Sequence, residues 1–367
     1  MQQQGKDIAL EAFRGLAAVV VLASHIAVGF FPKQSGVFPQ FGPGLSELPF
    51  FGLLNGEAAV VFFFVLSGFV LTRAFLLRGG YEVIVRGVLK RWPRLVGPVL
   101  AVTLLSWLLF QVDAYFFSEA AALIGSPWLG TFANAYPDGN AFTPTLASAV
   151  AQGLLTFFRG DHYYDTSLWT MKYEFIGSFV AFGLAALVFQ TRGRLCATLF
   201  SIGLIALLCS FQSPYLVAFP VGVALANSLP ERRGNASGYL GALMVGAAVY
   251  LWGFTEKAGG FYATISHIIP SDVPANYVHM LGAILMILAV EISLPTHRFF
   301  TKPLFAFLGE LSFPLYLVHV LILCSAGSFV FVVAPPILAG PLATLATVAG
   351  SFLAAYPLVV FNRHWVS

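Results

Sequence analysis

Arg14 and His25 are the two ionisable residues of the first long apolar segment, Phe13-Arg14-Gly15-Leu16-Ala17-Ala18-Val19-Val20-Val21-Leu22-Ala23-Ser24-His25. Eleven helical steps turn about 1100°, three turns plus roughly 20°, so both side chains project from one face of a helix. The same steps rise roughly 16 Å, about half the thickness of a hydrocarbon core. The spacing therefore predicts a cation near one membrane face and an imidazole deep inside. Ionisable groups at that depth are costly and mark functional paths. An imidazole with a pKa near 6.5 can accept a hydroxyl proton near neutrality, so His25 is a candidate general base, with a satisfied core histidine as the alternative.

Four further groups of residues carry potential chemistry. In Arg86-Gly87-Val88-Leu89-Lys90-Arg91-Trp92-Pro93-Arg94, Arg91 and Arg94 stand three residues apart and can project together. Guanidinium groups donate two coplanar hydrogen bonds and stay charged. With Arg14 at the same membrane face, the three suit a polyphosphate ligand, or else the Arg91 and Arg94 pair is ordinary cationic anchoring. In Ser167-Leu168-Trp169-Thr170-Met171-Lys172-Tyr173-Glu174-Phe175, Glu174 is expected at the level of His25. It could orient the imidazole and stabilise its cation, as the third member of a triad does, or form a structural ion pair with Lys172 or another span. Ser67 and Gly68 fall mid-span and provide either close helix packing or room for a ligand arm. The segment Asp161-His162-Tyr163-Tyr164-Asp165 reads as external, polar and aromatic, suited to binding carbohydrate or to capping a helix at the interface.

The elements that must position these residues are helices in a membrane. The 367-residue chain is 58% hydrophobic and only 10% charged, against roughly 25% charged in a soluble domain. Recurring apolar runs of about 20 residues predict an all-α polytopic protein with about ten spans, at about 12–31, 56–77, 95–112, 168–190, 195–211, 214–229, 238–254, 275–295, 313–333 and 339–361. With the N-terminus inside, fifteen of the nineteen Lys and Arg residues fall on the cytoplasmic side and only Lys33, Arg159, Lys172 and Lys257 on the other. That bias predicts both termini cytoplasmic. Residues 78–94 read as a basic cytoplasmic loop and 303–312 as a surface stretch before a span. The segment 144–158 reads as an interfacial or re-entrant helix, and Tyr136-Pro137-Asp138-Gly139-Asn140 as a turn. The first apolar run is long enough to be retained as a span. Cys196, Cys209 and Cys324 lack metal or disulfide spacing and read as small buried hydrophobes. A net charge of +3 gives no reason to expect nucleic acid as a partner.

The blocks, taken in order, resemble a known family. Arg14 and His25 with ten residues between them, the FFxLSGF block at 63–69, the Arg91 and Arg94 pair, Trp169 with Glu174, and Leu308-Gly309-Glu310-Leu311-Ser312-Phe313-Pro314-Leu315-Tyr316-Leu317-Val318-His319 are similar to acyltransferase family 3 over essentially the whole chain. That family comprises membrane O-acyltransferases that decorate bacterial polysaccharides and other secreted molecules. The chain departs from common versions at Phe313, where Tyr is frequent, and at Trp92-Pro93. The resemblance implies acyl-CoA, usually acetyl-CoA, as donor, and requires Arg14, His25, Arg91 and Arg94 for activity. It also implies one transmembrane acyltransferase domain over 1–367; many relatives carry a fused extracytoplasmic domain, and none is expected here because the sequence ends soon after the tenth span.

The expectation is therefore a multi-pass protein of the bacterial inner membrane that moves an acetyl group from cytoplasmic acetyl-CoA to a carbohydrate hydroxyl outside. The nucleotide would bind Arg14, Arg91 and Arg94, the arm would pass Ser67 and Gly68, and His25 with Glu174 would perform the transfer. Direct transfer and an acetyl-histidine intermediate stay open. No metal is expected, and the partners are acyl-CoA, the carbohydrate acceptor, membrane lipid and a polysaccharide synthesis or export complex. Acyl transfer to a lipid or an antibiotic, or a proton or solute transporter using the same ionisable residues, are the alternatives.

Overall fold

A computed structural model describes residues 7–133, 142–231, 234–256, 259–270 and 273–366, the side chains of 362–364 and 366 excepted. The turn expected at Tyr136–Asn140, the cations Lys6, Arg232, Arg233 and Lys257, and the Arg363 side chain lie outside the described residues. The regular structure of the described residues is helical, with no strand beyond an isolated bridge between Asn235 and Ser293. The chain opens with α1 (Ile8–Phe30), α2 (Pro32–Ser35), α3 (Gly56–Arg78), α4 (Tyr81–Gln111) and α5 (Phe117–Ile124). It continues with α6 (Leu146–Arg159), α7 (Trp169–Gln190), α8 (Leu195–Ser210), α9 (Pro214–Ser228), α10 (Gly238–Trp252) and α11 (Ala263–Ile268). It ends with α12 (Ala275–Ile292), α13 (Leu294–Phe300), α14 (Pro303–Ile322), α15 (Ser328–Val333) and α16 (Pro336–Val366).

Among the described residues, seven helical stretches are long and apolar enough to cross a membrane: Ile8–Phe30, Gly56–Arg78, Tyr81–Gln111, Thr166–Gln190, Ala275–Ile292, Pro303–Val333 and Pro336–Phe361. The other three expected spans coincide with α8, α9 and α10, apolar helices of 16, 15 and 15 residues. They rise roughly 23 Å, short of a hydrocarbon core of about 30 Å.

Two expected boundaries differ. The basic stretch 78–94 is not a loop. The turn is only Gly79-Gly80, both at positive φ (77° and 86°), and α4 then runs unbroken through Pro93 and Pro98. Glu82 favours the start of α4 through the helix dipole and lies 3.6 Å from Arg86 one turn on. The stretch 303–312 is likewise continuous with its span, as the first half of α14.

The chain divides into two compact units. Unit 1 comprises Met1–Ala17, Leu48–Arg91 and Tyr173–Gly309. Its α3 is capped by Asn55, whose side chain accepts from the Glu57 and Ala58 amides. There α3 and α9 meet backbone to backbone: a Cβ on Gly68 would run into the Phe219 main chain, and one on Gly222 into that of Val65 and Phe69. Small residues permit such crossings where lipid offers no hydrophobic drive.

Unit 2 comprises Ala18–Glu47, Trp92–Lys172 and Glu310–Ser367. In it α6 opens with a capping box of Thr145 and Ser148. This confirms a helix in the 144–158 stretch. After α14 the chain makes one π turn, Leu323–Gly327; the hydroxyls of Ser325 within it and of Ser328 just after it donate to the Leu321 and Leu323 carbonyls. Such turns inside helices occur often near functional sites.

Candidate active site

In unit 1 the polar interior is built on Glu174 of α7. Its Oε1 accepts from the Arg91 Nη2 of α4, as an ion pair, and from the Ser67 hydroxyl of α3 at 2.8 Å. The Arg91 guanidinium is almost fully buried, and its Nε is also buried and has no protein partner. Ser67 thus donates to a carboxylate, and the space beside Gly68 is filled by α9. Arg14 pairs with Glu11 one turn earlier on α1 at 2.8 Å and is partly exposed. Arg14 is brought beside α14, because a Cβ on neighbouring Gly15 would meet the Leu308 and Gly309 backbone.

In unit 2 the site is built around His25, near the end of α1. Its Nδ1 lies 2.7 Å from Nε2 of His319 on α14. His319 is buried, and its own Nδ1 faces the Leu315 and Tyr316 carbonyls at 3.2 and 2.8 Å. The Trp128 indole also stacks on His25, with centroids 4.6 Å apart and planes 18° from parallel. Ser126 holds that tryptophan in place by donating to the Val28 carbonyl of α1 and accepting from the Leu129 amide. One turn before His319, the Tyr316 hydroxyl donates to the Ser167 carbonyl and bonds Thr170, at 3.2 and 2.9 Å. Arg94, which is exposed, also belongs to unit 2.

The segment 161–165 is not the open external surface expected. Tyr163, Tyr164 and Asp165 are buried in unit 2, and only Asp161 and His162 are partly exposed. The aromatic pair was misplaced because its polar atoms find internal partners. The Tyr164 hydroxyl donates to the Thr145 carbonyl, its amide donates to Gln152, and its carbonyl accepts from Ser106. Asp165 accepts from the Ser167 amide through one oxygen and leaves the other buried without a partner. Burial pushes the Asp165 carboxyl up to about 7 against the opposing Ser167 hydrogen bond. Of the cysteines, Cys209 and Cys324 are buried as expected, whereas Cys196 is exposed. Among the described residues no cluster of His, Cys, Asp and Glu could hold a metal.

Sequence reasoning assigned no role to His319 or Trp128. His319 stood at the end of the 308–319 block, and its residue type on an apolar span was the available signal. Trp128 sits in an irregular segment and carried none.

Comparison with known proteins agrees with the resemblance. The acyltransferase domain family matches residues 7–356. The chain is 24% identical over 355 positions to an O-acetyltransferase, PaAT-1, of Phomopsis amygdali, an alignment covering 84% of this chain and 71% of that protein. No solved structure matches significantly. A buried histidine site in one unit, a buried arginine–carboxylate site in the other and a family match over nearly the whole length lead to one assignment: the chain belongs to acyltransferase family 3 and is a membrane O-acyltransferase.

Proposed function

We propose that this enzyme transfers an acetyl group from cytoplasmic acetyl-CoA to a hydroxyl of an extracytoplasmic carbohydrate, in the inner membrane of a bacterium. The observation that carries the reading is α1, an unbroken helix that holds Arg14 in its second turn and His25 eleven residues on. The rise of roughly 16 Å matches the reach of a pantetheine arm with its diphosphate at Arg14 and its thioester at His25. The name of the Phomopsis amygdali relative supports acetyl as the group moved. Arg94 is exposed, and the unpartnered Nε of Arg91 is a donor left over after Glu174, so both can serve the donor's phosphates.

Transfer then requires one proton shuttle. The His25 imidazole takes the proton of the acceptor hydroxyl, the oxygen attacks the thioester carbonyl, and the carbon–sulfur bond breaks. The imidazolium returns its proton to the departing thiolate, giving the ester and free CoA thiol. Asp161 and His162, the partly exposed part of their segment, are the proposed acceptor contacts.

The test is thiol release from acetyl-CoA by the purified protein, combined with mass analysis of surface polysaccharide from cells with and without the gene. His25→Ala should abolish release while acetyl-CoA still binds, because a methyl group cannot take the acceptor proton and Arg14 lies about 16 Å away along α1. Near-normal turnover in that variant would overturn the base assignment. An unchanged polysaccharide mass, with acetyl found on another product, would replace the acceptor.

A further inference from the structure

We propose, resting on the reading of His25 as the base, that His319 is a positioning residue that selects the tautomer of His25, so that Nδ1 carries the proton and Nε2 the reactive lone pair. The argument starts from acceptors that cannot change. The Leu315 and Tyr316 carbonyl oxygens can only accept, and both face the Nδ1 of His319. That nitrogen therefore carries the His319 proton, and its Nε2 holds a lone pair. The facing atom 2.7 Å away, Nδ1 of His25, must then donate. The opposite tautomer of His25 would set two lone pairs against each other at that distance. A neutral imidazole has one proton, so the Nε2 of His25 is left as an acceptor, and it bonds no protein group among the described residues.

The arrangement also favours the transition state. When Nε2 takes the acceptor proton, His25 becomes an imidazolium, and its bond from Nδ1 to His319 becomes charge-assisted and stronger. His319 fills the place that an aspartate fills in a hydrolase triad, without placing a second charge in the membrane. The near-parallel Trp128 and His319 rings, each 18° from the plane of His25, hold the imidazole in the orientation this bond needs.

Two arms test this. In the first, nitrogen-15 spectra of histidine-labelled protein, assigned by loss of the His25 signal in His25→Gln, report which ring nitrogen is protonated. Protonated Nδ1 and bare Nε2 are expected in the wild type, with Nε2–H appearing in His319→Leu. Nε2–H in the wild type overturns the proposal. In the second arm His319→Leu, which removes the acceptor, should lower kcat about a hundredfold or more with KM for acetyl-CoA unchanged. His319→Gln, whose amide oxygen can accept in place of Nε2, should recover about tenfold or more of that loss. Wild-type kcat in a folded His319→Leu protein, or no difference between Leu and Gln, overturns the positioning role. The spectra need no acyl donor, so a wild type that does not turn over acetyl-CoA refutes the proposed donor and leaves the tautomer to be decided by the first arm.

Discussion

A buried guanidinium and carboxylate behave very differently together and apart, and Arg91 with Glu174 shows why that matters for function. Removing one partner strands a charge, which typically costs about 3–5 kcal/mol, whereas replacing both by apolar residues of similar volume is often neutral or better. Glu174→Leu should therefore lower the melting temperature sharply, and Arg91→Met combined with Glu174→Leu should restore it to near the wild-type value. Acyl-CoA affinity separates structure from binding. If the spare Nε of Arg91 serves a phosphate, the restored double variant should still bind acyl-CoA about tenfold or more weakly, as expected for a lost charged hydrogen bond of roughly 1.5–3 kcal/mol. Wild-type affinity in that variant would make the pair purely structural. At this scale the sequence was informative where polarity is rare. Arg14 and His25 stood out because almost nothing around them is polar. The partners did not, since His319 lies 294 residues from His25 and Arg91 lies 83 from Glu174. Such pairings are set by which helix faces meet, which periodicity alone does not encode.

The same division holds for elements. Long apolar helices were legible because apolar runs of about 20 residues recur along the chain, but their ends were not. Pro93 marked a boundary by the rules for soluble helices. In this membrane helix α4 continues through it, and the Pro93 carbonyl also accepts from the Trp365 indole at 2.6 Å within unit 2. The 161–165 segment was misread for the converse reason, since its polar composition suggested solvent while its partners lie inside. Asp165, which caps the turn leading into α7, makes that burial measurable. Its carboxyl is raised from 3.8 to about 7, so the folded state holds the proton more tightly than the unfolded one. Its stabilising contribution is complete below the unfolded value near 4 and is lost as pH rises to about 7. Asp165→Asn keeps the capping oxygen but cannot ionise. Melting temperatures measured from pH 4 to pH 8 should therefore fall less steeply in the variant than in the wild type. Parallel profiles would mean that Asp165 ionises freely or that its missing partner is a cation.

For the whole molecule, the number of crossings decides which side each end of the chain reaches. Among the described residues, seven helical stretches are long enough to span, and three more apolar helices are shorter. The charge bias favours the reading in which all ten cross, because fifteen of the nineteen cations then lie on one side. Parity makes the two counts distinguishable. Residue 85 lies in the exposed first part of α4 and residue 130 after its end, so with the N-terminus inside they sit inside and outside under either count. Residue 337, exposed at the start of α16, differs: it is outside if ten helices cross and inside if only seven do. Val85→Cys, Gly130→Cys and Ile337→Cys, each in a background lacking Cys196, Cys209 and Cys324, can be treated with a membrane-impermeant thiol reagent in intact cells. A Cβ at residue 130 meets only an ordinary contact with Ala121, so that substitution should not disturb the fold. Labelling at 130 and 337 but not at 85 is expected. Protection at 337 with labelling at 130 would reduce the crossings to an odd number and place the C-terminal end outside. Labelling at 85 with protection at 130 would reverse the protein, putting Arg14, Arg91 and Arg94 on the side without CoA and removing the basis for a cytoplasmic acyl donor.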